Sequence, residues 1–320
     1  MDSVLLQILL YTLLALPLVG AYALLGLGIT VIYQASRVLN LAHGAMAMGG
    51  AYATYELYHD HLFLPSQTAA ALASWHLELP LAVVGGIVAG AALGLGIERF
   101  LVRRLRTAGP TTQTVGTVAA LSLCIALAAR KWGTLPLEAP QIFPAGVIHV
   151  GRGFVQNARF GIFPVAIVGA ALLFALFQLT DLGLAMRGAA QNRRGAALRG
   201  IDPDRTTAMA WVIGGAFAGL AGILLAGASG LDPYAISLGV LPAFVAALIG
   251  GLESMPGVVV GAAVIGLVQG MIPILALAPK FGFLFQGQGS PELVLGVVAL
   301  VVMGLRGARL VGADVKGEAL

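Results

Sequence analysis

Four arginines crowd into the fourteen residues NRRGAALRGIDPDR, from Asn192 to Arg205. Guanidinium groups at that density serve to grip carboxylates, phosphates or anionic headgroups. A second stretch with chemical content is VLNLAHGAM, where Asn40 and His43 stand in an otherwise apolar run. Polar side chains in such a setting face a bundle interior or a water-filled path. A helix that begins or breaks at depth adds backbone donors suited to a carboxylate. The alternative is local: Asn40 caps a helix, and His43 satisfies a backbone carbonyl between packed helices. Gln269 and Thr117 carry the same pair of readings at lower weight. A third stretch, YHDH at 58–61, sets His59 and His61 about Asp60. These are metal-ligand types, but an exposed polar loop is the better reading.

Absent motifs exclude several chemistries. No G-x-x-x-x-G-K-[ST] occurs, and none of Lys131, Lys280 or Lys316 has the flanking residues for one. P-loop hydrolysis of ATP is therefore not expected of this chain. There is no G-x-S-x-G and no H-E-x-x-H, which argues against a membrane hydrolase or a zinc protease.

The elements that must carry these residues follow from composition. Of 320 residues, 59% are hydrophobic and 10% charged, with 44 glycines and a mean hydropathy of +0.94. Soluble domains carry about 25% charged residues, and a bilayer core takes ~20 apolar residues per helical span. The chain reads as one all-α, polytopic transmembrane domain over residues 1–320. The basic balance, with a pI near 9.5, belongs to loops beside the membrane and not to nucleic-acid binding. Cys124 is the single cysteine, so no internal disulfide can form. The N-terminus MDSVLLQILLYTLLALPLVG lacks a basic leader region and reads as a retained first span.

Apolar stretches fall at 5–33, 40–58, 80–98, 114–131, 161–179, 208–229, 237–251, 256–275 and 291–305, giving eight to ten spans. The first contains Pro17 and reads as one kinked helix or two short ones. The seventh is short and reads as broken or tilted. Gly86, Gly90 and Gly94, and Gly214, Ala218, Gly222 and Ala226, form small-residue ridges for close packing.

Lysine and arginine orient the chain. Arg99, Arg103, Arg104 and Arg106, then Arg187, Arg193, Arg194, Arg199 and Arg205, then Arg306, Arg309 and Lys316 make up twelve of its 18 basic residues. The loop from Glu56 to Glu78 has none. The arginine loops are thus expected in the cytoplasm, with nine spans giving N-terminus out and C-terminus in. Arg130 and Lys131 break the pattern and read as interfacial anchors.

The segment MRGAAQNRRGAALRG is rich in helix formers. Gly200 is placed to end its helix, and Asp202 with Pro203 to start the next. Free arginines would orient a loop or attract lipid headgroups without an ordered helix. A capped, glycine-terminated helix at 187–200 suggests a docking element for another protein.

Three ordered segments carry a resemblance. GLGITVIYQASRVLNLAHGAMAMGGAY, MRGAAQNRRGAALRGIDPDRTTAMAWVIGGAFAGLAGILLAG and AFVAALIGGLESMPGVVVGAAVIGLVQG together resemble the H-type permease subunits of branched-chain amino acid ABC importers. The resemblance covers nearly the whole chain. It implies that the helix at 187–200 is a coupling helix, with Arg187, Gln191, Asn192, Arg193, Arg194, Gly200, Asp202 and Glu253 on the side facing an ATPase. It implies as partners two P-loop ATPase subunits that bind ATP and magnesium, a second, M-type permease and an extracytoplasmic substrate-binding protein. No cofactor is expected in this chain, and the location implied is the bacterial inner membrane. The sequence departs from the family pattern at Ala45, which follows His-Gly, at Glu253, which replaces a glycine, and in a tail, LRGARLVG, without the usual proline. Urea or short-amide permeases of the same family are the alternative. A stand-alone secondary transporter or channel would need a driving-ion site, and no carboxylate falls mid-span: Glu98 and Glu292 sit at span ends.

Overall fold

The computed structural model describes residues 2–59, 78–143, 146–150, 153–276 and 290–317. The predicted stretches all form helices. Helix α1 runs Asp2–Ser36, α2 His43–His59, α3 Glu78–Ile97, α4 Pro110–Trp132 and α5 Asn157–Leu179. A polar pair follows, α6 at Asp181–Gln191 and α7 at Arg193–Leu198. The chain then returns through α8 at Pro203–Ser229, α9 at Pro233–Leu238, α10 at Val240–Gly250, α11 at Met255–Leu275 and α12 at Ser290–Gly317. One antiparallel hairpin, β1 (Val147–Val150) with β2 (Gly153–Gln156), precedes α5.

Among the described residues, seven helical segments are long and apolar enough to cross a membrane, one of them the α9–α10 pair over Pro233–Gly250. Of the nine hydrophobic stretches, the remaining two are α2, at 17 residues, and the apolar part of α12, Ser290–Gly304. Helix α1 is continuous through Pro17, as proline is tolerated where neighbouring helices satisfy the freed carbonyl. The short seventh stretch is broken: Gly239 separates α9 from α10.

Helix α8 is the axis of the bundle, and its glycines explain why. A Cβ on Gly90 of α3 would lie 2.5 Å from the Gly215 carbonyl, and one on Gly94 would lie 2.3 Å from the Trp211 carbonyl. Turned the other way, Gly214 meets Ile32 and the Gly28 carbonyl of α1, while Gly222 meets the Ala47 carbonyl of α2. The predicted ridge at 214–222 thus seats α1 and α2. A second ridge, Gly215 and Gly219, seats α3. Backbones this close gain dispersion contacts over their whole length, which is how membrane helices associate without a hydrophobic drive between them.

At the end of the bundle away from α6 and α7, Tyr52 stacks on Trp132 at 4.4 Å between centroids. Lys131 lies over the Trp132 ring and 3.1 Å from Glu56, to which the Trp132 indole N–H also donates. Lys131 is therefore countered within the chain, not only held at an interface.

Candidate functional site

Two polar regions interrupt this apolar bundle. The first lies at the head of α2. Helix α1 ends at Ser36, and Arg37 turns the chain with φ of +58°, unusual for a residue with a side chain. Arg37 holds Glu253 in the α10–α11 loop, and Gln34 Nε2 donates to the Leu252 carbonyl. The extended segment that follows is fastened to α4 by Thr117. Its buried hydroxyl accepts from the Leu41 N–H at 3.1 Å and donates to the Thr114 carbonyl at 2.7 Å.

Asn40 and His43 are completely buried there. Asn40 does not cap the helix: its Nδ2 contacts only Met46 Sδ, at 3.8 Å, and its Oδ1 has no partner in the protein. The His43 ring rests on Gly28 of α1, where a Cβ would lie 2.6 Å from Nε2. The Leu25 carbonyl is its polar neighbour, but neither ring nitrogen forms a hydrogen bond of ordinary geometry. The structure thus brings Asn40, His43 and Thr117 together. Gln269 is held elsewhere, on α11, accepting from the Tyr22 hydroxyl of α1 at 2.8 Å.

Sequence reading missed Ser237. It sits at the end of the half-helix α9, fully buried, with an unpartnered hydroxyl. Its carbonyl presses on Gly44, where a Cβ would lie only 2.0 Å away. The punctuation that marks α9 was visible: Asp232 caps it through the Ala235 N–H, Pro233 opens it and Gly239 follows it. Trp211 of α8 was also missed, and is buried with its indole N–H unpaired. A cleft of about 770 Å³ between α2, α3 and α4 has Ala45, Met48, Gly49 and Leu93 in its lining, and none of Asn40, His43, Thr117 and Ser237 lines it.

The second region is the segment between α5 and α8. It is two helices, not the single helix expected over 187–200. Thr180 caps α6 by accepting from the Gly183 N–H. Asn192 takes an extended conformation, ends α6 and caps α7 through the Gly195 N–H at 2.8 Å. Asparagine satisfies the orphan donors of a new helix better than it continues an old one. Gly200 adopts φ of +81° beyond α7, and Asp202 caps α8 by accepting from the Asp204 and Arg205 N–H groups, as their types predicted. Those two backbone bonds hold the Asp202 carboxyl below its ordinary range.

The arginines divide. Arg187 turns inward to the Phe177 carbonyl and ring. Arg193 pairs with Asp204, whose carboxylate also accepts from Arg106 at 2.8 Å. Arg103 reaches the Asp204 carbonyl and pairs with the fully buried Glu98 at 3.1 Å. Asp204, which sequence reading passed over, therefore joins α7 to the α3–α4 connection. Gln191, Asn192, Arg194 and Arg199 are exposed, and Leu198 is 89% exposed beside them.

Among the described residues no group of three or more His, Cys, Asp or Glu is placed to hold a metal. His59 bonds the Tyr55 carbonyl; Asp60 and His61 lie outside the described residues, as does most of the 56–78 loop.

The family described as "Branched-chain amino acid transport system / permease component" matches residues 11–305. The high-affinity branched-chain amino acid transport system permease protein LivH of Escherichia coli K12 is 28% identical over 260 residues, 79% of this chain and 82% of that one. LivH of Salmonella typhimurium is 27% identical over the same shares. BraD of Pseudomonas aeruginosa, of the same description, is 28% identical over 290 residues, 89% of each chain. No solved structure matches.

Proposed function

We propose that this chain, which belongs to the family of branched-chain amino acid transport system permease components, forms the membrane path of an importer for aliphatic amino acids, driven by ATP hydrolysed in partner subunits. The observation that carries the reading is the capped α6–α7 segment. A chain so poor in charge fixes two short helices outside the apolar bundle, each with a side-chain cap, and adds a triple arginine clasp on Asp204. It leaves Leu198, Arg194 and Arg199 facing outward. An ordered knob of one leucine ringed by arginines suits a cleft on a soluble protein, whereas orientation alone needs no ordered element.

On this reading α7 is the part of the coupling segment that enters the ATPase. Arg194, Gln191 and Asn192 are contact residues, and Arg187, Arg193, Gly200, Asp202 and Glu253 hold the surface in shape. ATP and magnesium belong to two P-loop ATPase subunits. A second, M-type permease completes the path, and a substrate-binding protein delivers the amino acid. The arginine-rich end faces the cytoplasm of a bacterium, which puts the N-terminus outside the inner membrane and the C-terminus within. The path itself has only to let a bound molecule pass, so a lining of small and apolar residues suits it; choice among leucine, isoleucine and valine then rests with the binding protein.

The test is copurification. The tagged chain, expressed with its neighbouring genes, is expected to bring down P-loop ATPases, and Leu198→Asp with Arg194→Glu to lose them while still inserting in the membrane. Equal ATPase recovery with that double variant would contradict the docking assignment.

A further inference from the structure

Of the buried side-chain atoms without a hydrogen-bond partner among the described residues, four belong to three neighbours at one place: Asn40 Oδ1, both ring nitrogens of His43, and Ser237 Oγ. All three residues are fully buried. They are held together by rigid contacts, the Ser237 carbonyl on Gly44 and the His43 ring on Gly28. An unsatisfied polar group in an apolar interior is costly, and buried polar groups elsewhere in proteins are almost always paired. Concentrating them where α1, α2, α4, α8 and α9 converge calls for a ligand. Orphan backbone donors at the start of α2 add to the same spot.

The chemistry defines that ligand. Asn40 Oδ1 accepts, the Ser237 hydroxyl does both, and a neutral His43 offers one donor and one acceptor. The buried carboxylates Glu56 and Glu98 each bond a partner at a span end, Trp132 and Arg103. The cluster therefore offers donors and acceptors together with no net charge, which suits the paired ammonium and carboxylate of a zwitterion better than a lone cation or anion.

We propose that Asn40, His43 and Ser237 form a transit site for the ammonium and carboxylate of a passing amino acid. This rests on the importer reading. Because the site reads the backbone end, common to all the substrates, it does not discriminate among leucine, isoleucine and valine.

Ser237→Ala is the incisive variant, since it deletes an unpartnered hydroxyl and leaves packing intact. The expected result, in the complete complex in proteoliposomes, is an uptake rate at low substrate reduced about three- to tenfold, the worth of a hydrogen bond. The factor should be the same for the three amino acids, with thermal stability unchanged or raised. Asn40→Leu should behave alike. As a second measurement, Ser237→Cys in a Cys124→Ser chain should react with a membrane-impermeant thiol reagent during ATP turnover, and leucine should protect it. Wild-type leucine import with unaltered uptake by both variants and no labelling would overturn the transit site and leave the importer reading standing. Stability falling in parallel with uptake would assign these residues a packing role instead. No import by the wild-type complex would count against the importer reading itself.

Discussion

Gly44 has a neighbour that cannot move aside. A methyl group there would lie 2.0 Å from the backbone carbonyl of Ser237, and backbone, unlike the tip of a long side chain, yields only by separating α2 from α9. Gly96 of α3 has nothing within 4 Å. Gly44→Ala is accordingly expected to destabilise the folded chain by roughly 1–3 kcal/mol through overpacking. Gly96→Ala should be neutral or stabilising by up to about 1 kcal/mol, from helix propensity alone. Thermal unfolding in detergent checks the pair, and equal melting temperatures would show that α2 does not seat on Ser237 as described. At this scale the sequence exposed Asn40 and His43, because polar side chains stand out in an apolar run. Ser237 stayed hidden, since one serine in a helix is unremarkable until the fold sets Gly44 against it.

Local chemistry made the element boundaries readable in part. Gly200, Asp202 and Pro203 act within one turn of themselves, so the end of α7 and the start of α8 followed from residue type. The break at Asn192 was equally local but masked by strong helix formers on either side. What sequence could not show was the destination of the arginines, since Arg106 and Asp204 are 98 positions apart. Arg193 was expected on the partner's surface, yet its guanidinium is held by Asp204. The clasp transmits displacement of α7 to α3 and α4 on the importer reading, so Asp204→Asn is expected to lower leucine uptake severalfold in the assembled complex. Its effect on folding should stay within about 1 kcal/mol, because partly exposed ion pairs are worth ~0–1 kcal/mol. Exchanging the partners, Arg106→Asp with Asp204→Arg, should restore part of the loss. Uptake by Asp204→Asn equal to wild type, measured at the same ATPase occupancy, would show that α7 moves without the clasp.

For the whole molecule, hydropathy and glycine spacing were enough to define an all-α membrane bundle, because each span must satisfy its own backbone. They were not enough to set its arrangement. The ridge at Gly214 and Gly222 was visible, but Gly215 and Gly219, one residue round the helix, seat a different neighbour. Only the three-dimensional packing distinguishes the two faces of α8. On the proposed reading, the ordered helix pair at one end is where partner subunits deliver the energy for transport. The most direct test is uptake of labelled leucine and labelled urea in proteoliposomes, by this chain alone and by its complex with ATPases, second permease and binding protein. The account predicts leucine uptake only by the complex and only with ATP. Leucine uptake by the chain alone without ATP, or urea uptake by the complex without leucine uptake, would contradict it.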